Sequence, residues 1–479
     1  MATDMKEKVK KDYRAGFFHG NMFLFSAVIG AGIFVSPKGA LEYSSLNIPV
    51  SLSIWVVCAV LSMINALCLA ELGTTFPVSA APYYFMKRSL GSSVAFLSLW
   101  IKLFAYSLGL GAQSLLIAGY LIQPFYVGCL APELPKKCLA LAVLWSLGIL
   151  NAQGVTTVFW FNTISSLIKM GVLCLIILTG IVLLVIGKRE NVSRFENALD
   201  ADLPDASQIV EAILQVFYAY MGSSLLVNIA GEIKNPSETI PKSLISSLPV
   251  IAVLYVLTNV SYLTVLTAQE IIASESVAVT WMNGVFPSMQ WIISLGISIS
   301  LLNTTVCGIL TASRNFYSAS QEGQLPFIYA MLNDHHCPVV AVTQIIILSS
   351  VEILFLNVTY AIKYIGQVYT FMNALNMMAL LKLRYKEPDL PRPYKVWLPF
   401  VFGTIALSLF LLFMPIIKSP TLDRLYEVII FCVGLPCYWL HILLKKHVGV
   451  FDKITCYLQL LFNVSPLEDQ DKSFSAEEN

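Results

Sequence analysis

The stretch Val28-Ile29-Gly30-Ala31-Gly32-Ile33-Phe34 sets Gly-Ala-Gly in the middle of an apolar run from about residue 16 to 41. A second stretch, Phe217-Tyr218-Ala219-Tyr220-Met221-Gly222-Ser223-Ser224-Leu225, sets Gly-Ser-Ser in the middle of a run from about 207 to 230. Glycine at such points has two physical readings. It lets neighbouring membrane helices pack closely, as small residues at four-residue spacing do. It also lets a membrane helix unwind, which bares peptide groups in a medium where each unmet one costs several kcal/mol. Paired interruptions in corresponding spans of two halves are the sequence sign of an inverted repeat.

Apolar runs fill the rest of the chain. Its 479 residues are 57% hydrophobic and only 12% charged, with a mean hydropathy of +0.73. A soluble protein carries about 25% charged residues, so this chain lacks the charge to cover a soluble surface. The net charge of +1 offers nucleic acid no footprint. A soluble enzyme and a DNA-binding protein are both excluded. The ten cysteines lie mostly inside apolar runs and do not form a secreted disulfide scaffold.

A membrane helix needs roughly 20 apolar residues to cross about 30 Å of hydrocarbon. Such runs fall near 16–41, 48–74, 92–123, 138–153, 158–186, 207–230, 241–266, 288–319, 338–357, 360–382, 396–417 and 425–444. The basic residues before the first run, Lys6 to Arg14, resemble a signal-peptide start, but no small-residue cleavage site follows and the run is retained. With the N-terminus inside, the inner segments hold 19 Lys and Arg and the outer segments 9, leaving Lys102 and Lys169 within spans. Both termini therefore read as cytoplasmic. The predicted architecture is an all-α polytopic membrane protein with twelve spans, the first and sixth broken. A tail at 1–15 precedes a ten-helix core at 16–382, whose halves are 16–186 and 207–382. Two further helices lie in 396–444, and a second tail, acidic and solvated at its end, occupies 445–479.

The chemistry this layout suggests is recognition of an amino acid. Freed N–H groups and a half-helix N-terminus suit a carboxylate, and freed carbonyls suit an ammonium. Ile29, Gly30, Ala31, Gly32 and Ile33 are the candidate backbone site in the first span; Tyr218, Ala219, Tyr220, Met221, Gly222, Ser223 and Ser224 are candidates in the sixth. Tyr218 could cover a bound side chain or simply pack, and the serines could line a pocket or bond their own helix. Lys169 lies roughly 16 Å into its span, and an intramembrane lysine is a functional candidate by default. It is expected to face freed carbonyls of the first span in the place of a sodium ion. Lys102 lies nearer the inner face, where snorkelling is the competing reading; either lysine could meet an acidic substrate. Cys129, in an outer loop, suggests an intermolecular disulfide, with a free thiol or a local pair to Cys138 as alternatives. No P-loop, metal-ligand spacing or catalytic pair is visible, so neither ATP drive nor an enzyme is expected, and no metal or cofactor. Of five Asn-x-Ser/Thr sequons, Asn191 is the one best placed for glycosylation and Asn357 the next; Asn259 and Asn303 fall in spans and Asn463 inside.

IGAGIFVSPKG (Ile29 to Gly39), AELGTTFPVSAAPYYF (Ala70 to Phe85), GEIKNPSETIPKS (Gly231 to Ser243), SRNFYSASQEGQLP (Ser313 to Pro326) and LRYKEPDLPRPYKV (Leu383 to Val396) resemble light-chain subunits of heteromeric amino-acid transporters. These belong to the amino acid-polyamine-organocation superfamily. The similarity runs across nearly the whole chain and is strongest to members that carry aspartate, glutamate and cystine, so acidic amino acids and cystine are the expected substrates, with a neutral amino-acid exchanger or a non-transporting amino-acid receptor as the alternatives. It implies a LeuT-type fold of 5+5 inverted repeats and sodium-independent exchange at a plasma membrane, an epithelial apical surface among the candidates. It also implies a type II glycoprotein heavy chain held by a disulfide at Cys129. By the same resemblance Gly30, Ala31 and Gly32 match the backbone site, Lys169 a fifth-span lysine, Tyr218 to Ser224 the broken sixth span, and Tyr369 a polar pocket position. Two departures stand out. Met221 replaces the small or acidic residue of many members, and Ser107 stands where a cystine/glutamate exchanger has an arginine for the substrate's side-chain carboxylate.

Overall fold

The computed structural model describes residues 15–78, 81–122, 125–126, 131–186, 202–274, 276–355, 358–418, 433–434, 436 and 448–465. Nearly all of the twelfth run lies outside the described residues, as do Cys129, Asn191 and Asn357. Regular structure among the described residues is helical, apart from isolated β-bridges pairing Ala15 with Ile233 and Leu332 with Ser465.

The first apolar run is two helices, α1 (Phe17–Val28) and α2 (Gly32–Glu42), bent by 47° at the Gly-Ala-Gly break. Next come α3 (Ile48–Thr75), α4 (Ala81–Leu90), α5 (Ser92–Ile122), α6 (Glu133–Ala152) and α7 (Val155–Ile186). The sixth run is α8 (Ala206–Tyr218), a 3-10 turn at Met221–Ser224 and the short α9 (Leu225–Asn228), bent by 52°. Then follow α10 (Pro236–Val265), α11 (Ala268–Ala273), α12 (Val277–Val285), α13 (Gln290–Gln321), α14 (Val339–Phe355), α15 (Val358–Lys386), α16 (Leu398–Lys418) and α17 (Val448–Phe462). Every apolar run up to residue 417 is thus helical, and both predicted breaks are present. Among the described residues five unbroken helices are long and apolar enough to cross a membrane, and each bent pair adds one more.

The polarity of α7 explains why such a chain needs lipid. Ile164, Leu167, Ile168, Leu175 and Leu178 point outward, while Asn162, Ser166 and Lys169 are buried. That inside-out arrangement is stable where the surroundings are hydrocarbon and polar groups must find partners within the protein. The four short helices α4, α11, α12 and α17 are not evident from apolar runs. Two of them are set by local chemistry: α11 starts at a capping box, where Glu270 N–H donates to Thr267 Oγ1 at 3.2 Å and Thr267 N–H to Glu270 Oε2 at 2.7 Å. The other, α4, is strapped to the ends of α13 and α15 by Lys87–Glu322 at 2.5 Å and Arg88–Glu387 at 2.6 Å.

One end of the bundle gathers Ala15 and Ser465, the first and last of the described residues. Ala15 N–H donates to Glu232 O at 2.9 Å, and Glu232 pairs with Arg314 at 2.6 Å. Arg314 reaches the His336 carbonyl, and Leu332 in the same loop bridges to Ser465. At this end Glu71 of α3 is buried, pairs with Arg384 of α15 and accepts from Val396 N–H at 2.8 Å. Burial makes such a pair sensitive to loss of either partner, at about 3–5 kcal/mol.

Candidate functional site

Extended backbone at Ile29 (φ −77°, ψ 90°) ends α1, and its last carbonyls have no helical successor to accept from. Side chains of three other helices meet them instead. Lys169 of α7, 1% exposed, donates through Nζ to Ser26 O at 3.0 Å and to Ile29 O. From α13, Thr304 Oγ1 donates to Ser26 O and Ser300 Oγ to Ile29 O, both at 3.2 Å. From α10, Tyr255 Oη lies 2.9 Å from Val28 O and 3.2 Å from Ala219 O, so one hydroxyl serves both breaks. An ammonium at the C-terminal end of α1 also sits at the negative end of that helix's dipole. Behind it, Ser26 Oγ donates to Asn303 Oδ1 at 2.6 Å and Asn303 Nδ2 to Ser166 Oγ at 3.1 Å, a buried polar ladder joining α1, α13 and α7.

The breaks touch each other. A methyl group added at Gly32 would lie 2.4 Å from Ala219 Cα, and one at Gly222 would lie 2.0 Å from Ala27 O. Both readings of these glycines therefore hold together: the helices unwind, and only glycine lets the unwound backbones come this close.

A cavity of about 240 Å³ opens against the breaks. Gly30, Ala31, Gly32, Tyr218, Met221, Gly222 and Ser224 line it, with Tyr369 across from them on α15. These are eight of the residues singled out from the sequence. The others lie elsewhere. Ile29 and Ile33 are fully buried behind the break, and Ala219 and Tyr220 pack inward, Tyr220 with its ring 5.1 Å from that of Tyr255. Ser223 Oγ faces α3 and accepts from Ser62 Oγ at 2.9 Å. Ser107 faces away from the cavity, with its Oγ 2.8 Å from Glu352 Oε1. Lys169 stands behind α1, not in the cavity wall.

Lys102 is not spent at an interface; it lines the cavity and is the charged side chain among the lining residues. Tyr106, Gln113, Thr304, Asn373 and Asn376 add neutral polar groups. Reading the sequence passed over Ser300, Thr304 and Tyr255. A usable signal existed for the first two: Ser298 to Thr305 puts a run of polar side chains inside an apolar span, of which only the Asn303 sequon drew attention. Tyr255 carries no such mark, since a tyrosine in a membrane span is ordinary packing.

The match of the chain to known proteins accords with this geometry. Residues 16–438 match the amino acid permease family model. The chain is 64% identical to mouse solute carrier family 7 member 12 over 457 residues, covering 95% of this chain and 98% of the mouse protein. It is 47% identical to human solute carrier family 7 member 13 over 461 residues, 96% of this chain and 98% of that one. Against the human cystine/glutamate transporter it is 30% identical over 473 residues, 97% of this chain and 93% of that protein. The chain belongs to the amino acid permease family of membrane transporters, on the branch of heteromeric amino-acid transporter light chains.

Proposed function

We propose that the protein is the transport subunit of a sodium-independent amino-acid exchanger that works by alternating access. One observation carries the reading: two broken helices face one cavity while the ammonium of Lys169 fills the carbonyl acceptors that would otherwise attract a cation. The leading N–H groups of α2 offer a seat for the substrate carboxylate. The halves 16–186 and 207–382 rock as inverted repeats about this seat, with 396–444 alongside. Ala15 and Ser465 lie at one end of the bundle, which supports two cytoplasmic termini at a plasma membrane. A type II glycoprotein heavy chain joins through Cys129. Replacing Cys129 by Ser removes a reducible high-molecular-weight band on a gel; a band that persists discards the linkage.

The side chain of the substrate is the finer question. The walls nearest the breaks, Tyr106, Gln113, Met221, Tyr218 and Tyr369, are uncharged, Lys169 is engaged by carbonyls and Ser107 is turned away. This arrangement favours neutral amino acids. The second reading, aspartate, glutamate and cystine, rests on Lys102, seven residues or roughly 10 Å along α5 from Gly109, within the combined reach of a lysine and an acidic side chain.

Trans-stimulated flux from proteoliposomes decides among these readings, with labelled alanine, leucine, aspartate and cystine, in sodium and in choline. Exchange of alanine or leucine without sodium supports the first. Aspartate or cystine exchange that is lost in Lys102→Met supports the second. Binding with no trans-stimulated flux of any of the four makes the protein a receptor and ends the transport proposal.

A further inference from the structure

The residues of α5 that line the cavity, among them Lys102, Tyr106, Gly109 and Gln113, occupy one side of the helix. Ser107 lies on the other side, fully buried, where α5 packs on α14. Its Oγ is 2.8 Å from Glu352 Oε1, 3.0 Å from Leu103 O and 3.1 Å from Phe104 O. The second carboxyl oxygen, Oε2, is shut off from the surface and has no hydrogen-bond partner among the described residues. A carboxyl group within a membrane span thus rests against a single hydroxyl.

Counting protons decides its state. A serine hydroxyl has one proton to give and two lone pairs to receive with. If Glu352 were ionised, three acceptors would compete for the one proton of Ser107, and a full negative charge would stand in the bilayer with half of it unmet. If Glu352 holds a proton, its O–H donates to Ser107 Oγ, and the Ser107 O–H donates a hydrogen bond to the Leu103 or Phe104 carbonyl. Each hydrogen bond then has one donor, and no charge is buried.

Among the described residues no cation is placed to change that count. On α5, Lys102 faces the cavity. On α6, Lys137 donates to Leu354 O at 2.8 Å, and Glu133 and Lys136 lie in the first turn. On α13, Arg314 is paired with Glu232 at the far end of the helix. Among the described residues none of these comes within 4.0 Å of the Glu352 carboxyl.

We infer that Glu352 is a proton-binding site inside the membrane, a neutral acid that fastens α14 to the back of the cavity wall through Ser107. Glu352 acts as a positioning residue: it touches no substrate, and its proton keeps α5 in the register that presents Tyr106, Gly109 and Gln113 to the cavity.

Dicyclohexylcarbodiimide, an apolar reagent that adds to protonated carboxyls, tests the proton directly on the full-length protein in liposomes at neutral pH. Peptide mapping is expected to find Glu352 labelled and the arginine-paired Glu71 unlabelled. Ser107→Arg, which offers the carboxylate a cation, is expected to abolish labelling at Glu352. An infrared difference spectrum, wild type minus Glu352→Gln, is expected to contain the C=O stretch of a neutral carboxylic acid. Absence of that band, or labelling of Glu71 with none at Glu352, overturns the inference. Exchange reads the positioning role. Glu352→Gln, whose amide still donates to Ser107, keeps flux within about twofold, and Glu352→Ala lowers it about tenfold. Wild-type flux in Glu352→Ala removes the positioning role. Since the labelling and infrared readouts need no transport, they stand whether or not the exchange reading does.

Discussion

Replacing Lys169 by Ala strikes the joint on which the proposed cycle turns. The variant loses two charge-assisted hydrogen bonds, to Ser26 O and Ile29 O. Each is worth about 1.5–3 kcal/mol. Thr304 and Ser300 still reach the same two carbonyls at 3.2 Å, which offsets part of the loss. Freedom from burying an ammonium offsets a little more. A net of about 3 kcal/mol remains against the geometry in which α1 is held on α7 and α13, which lowers the population of that geometry about a hundredfold. Exchange of labelled substrate from proteoliposomes is expected to fall accordingly, while the protein still reaches the surface and elutes as a single species. The vacated space is bordered by four oxygens, Ser26 O, Ile29 O, Thr304 Oγ1 and Ser300 Oγ, the ligand type a hard cation prefers. Flux by Lys169→Ala is therefore expected to be greater in sodium than in choline, a difference absent from the wild type. Flux within about threefold of wild type in choline would refute the brace. A variant equally slow in both salts would keep the brace and discard the idea that the lysine replaces sodium.

Three further outcomes follow from the packing. Gly222→Ala drives a methyl group to 2.0 Å from Ala27 O and is expected to lower the midpoint of thermal unfolding by several degrees, at a cost of about 3 kcal/mol. Gly171→Ala, on α7 with open space around it, is the control and is expected to be neutral or to stabilise by up to about 1 kcal/mol. Glu71→Ala strands the largely buried Arg384 guanidinium and is expected to cost about 3–5 kcal/mol, read as lost monodisperse protein on heated size-exclusion runs; Arg88→Ala, at a half-exposed pair, is expected to cost about 1 kcal/mol or less in the same assay. Tyr255→Phe removes the hydroxyl shared by Val28 O and Ala219 O and is expected to reduce exchange about tenfold with little change in unfolding temperature.

Much of the fold is legible in the sequence because a bilayer imposes one demand on every span, and that demand is written in hydropathy. The breaks are legible for the same reason, since Gly30 to Gly32 and Gly222 to Ser224 interrupt runs that otherwise have no cause to stop. Lys169 is legible by depth alone. What hydropathy does not carry is the direction in which a side chain points. Ser107 and Tyr106 are neighbours in sequence, yet one faces Glu352 and the other the cavity, and only the rotation of α5 separates them. Likewise Ser223 and Ser224 part company at a 3-10 turn, where the rotation per residue differs from that of an α-helix. Glu352 itself reads as one acid near the end of an apolar run, and its meaning depends on a partner 245 residues away.

Backbone lies against backbone at Gly32 with Ala219 and at Gly222 with Ala27, so the two interrupted helices mesh like cogs. In the proposed cycle neither swings without turning the other, so that opening towards one side of the membrane is geared to closing towards the other. In that cycle a small molecule wedged between those peptide planes would stall both helices together, from a point outside the proposed amino-acid seat.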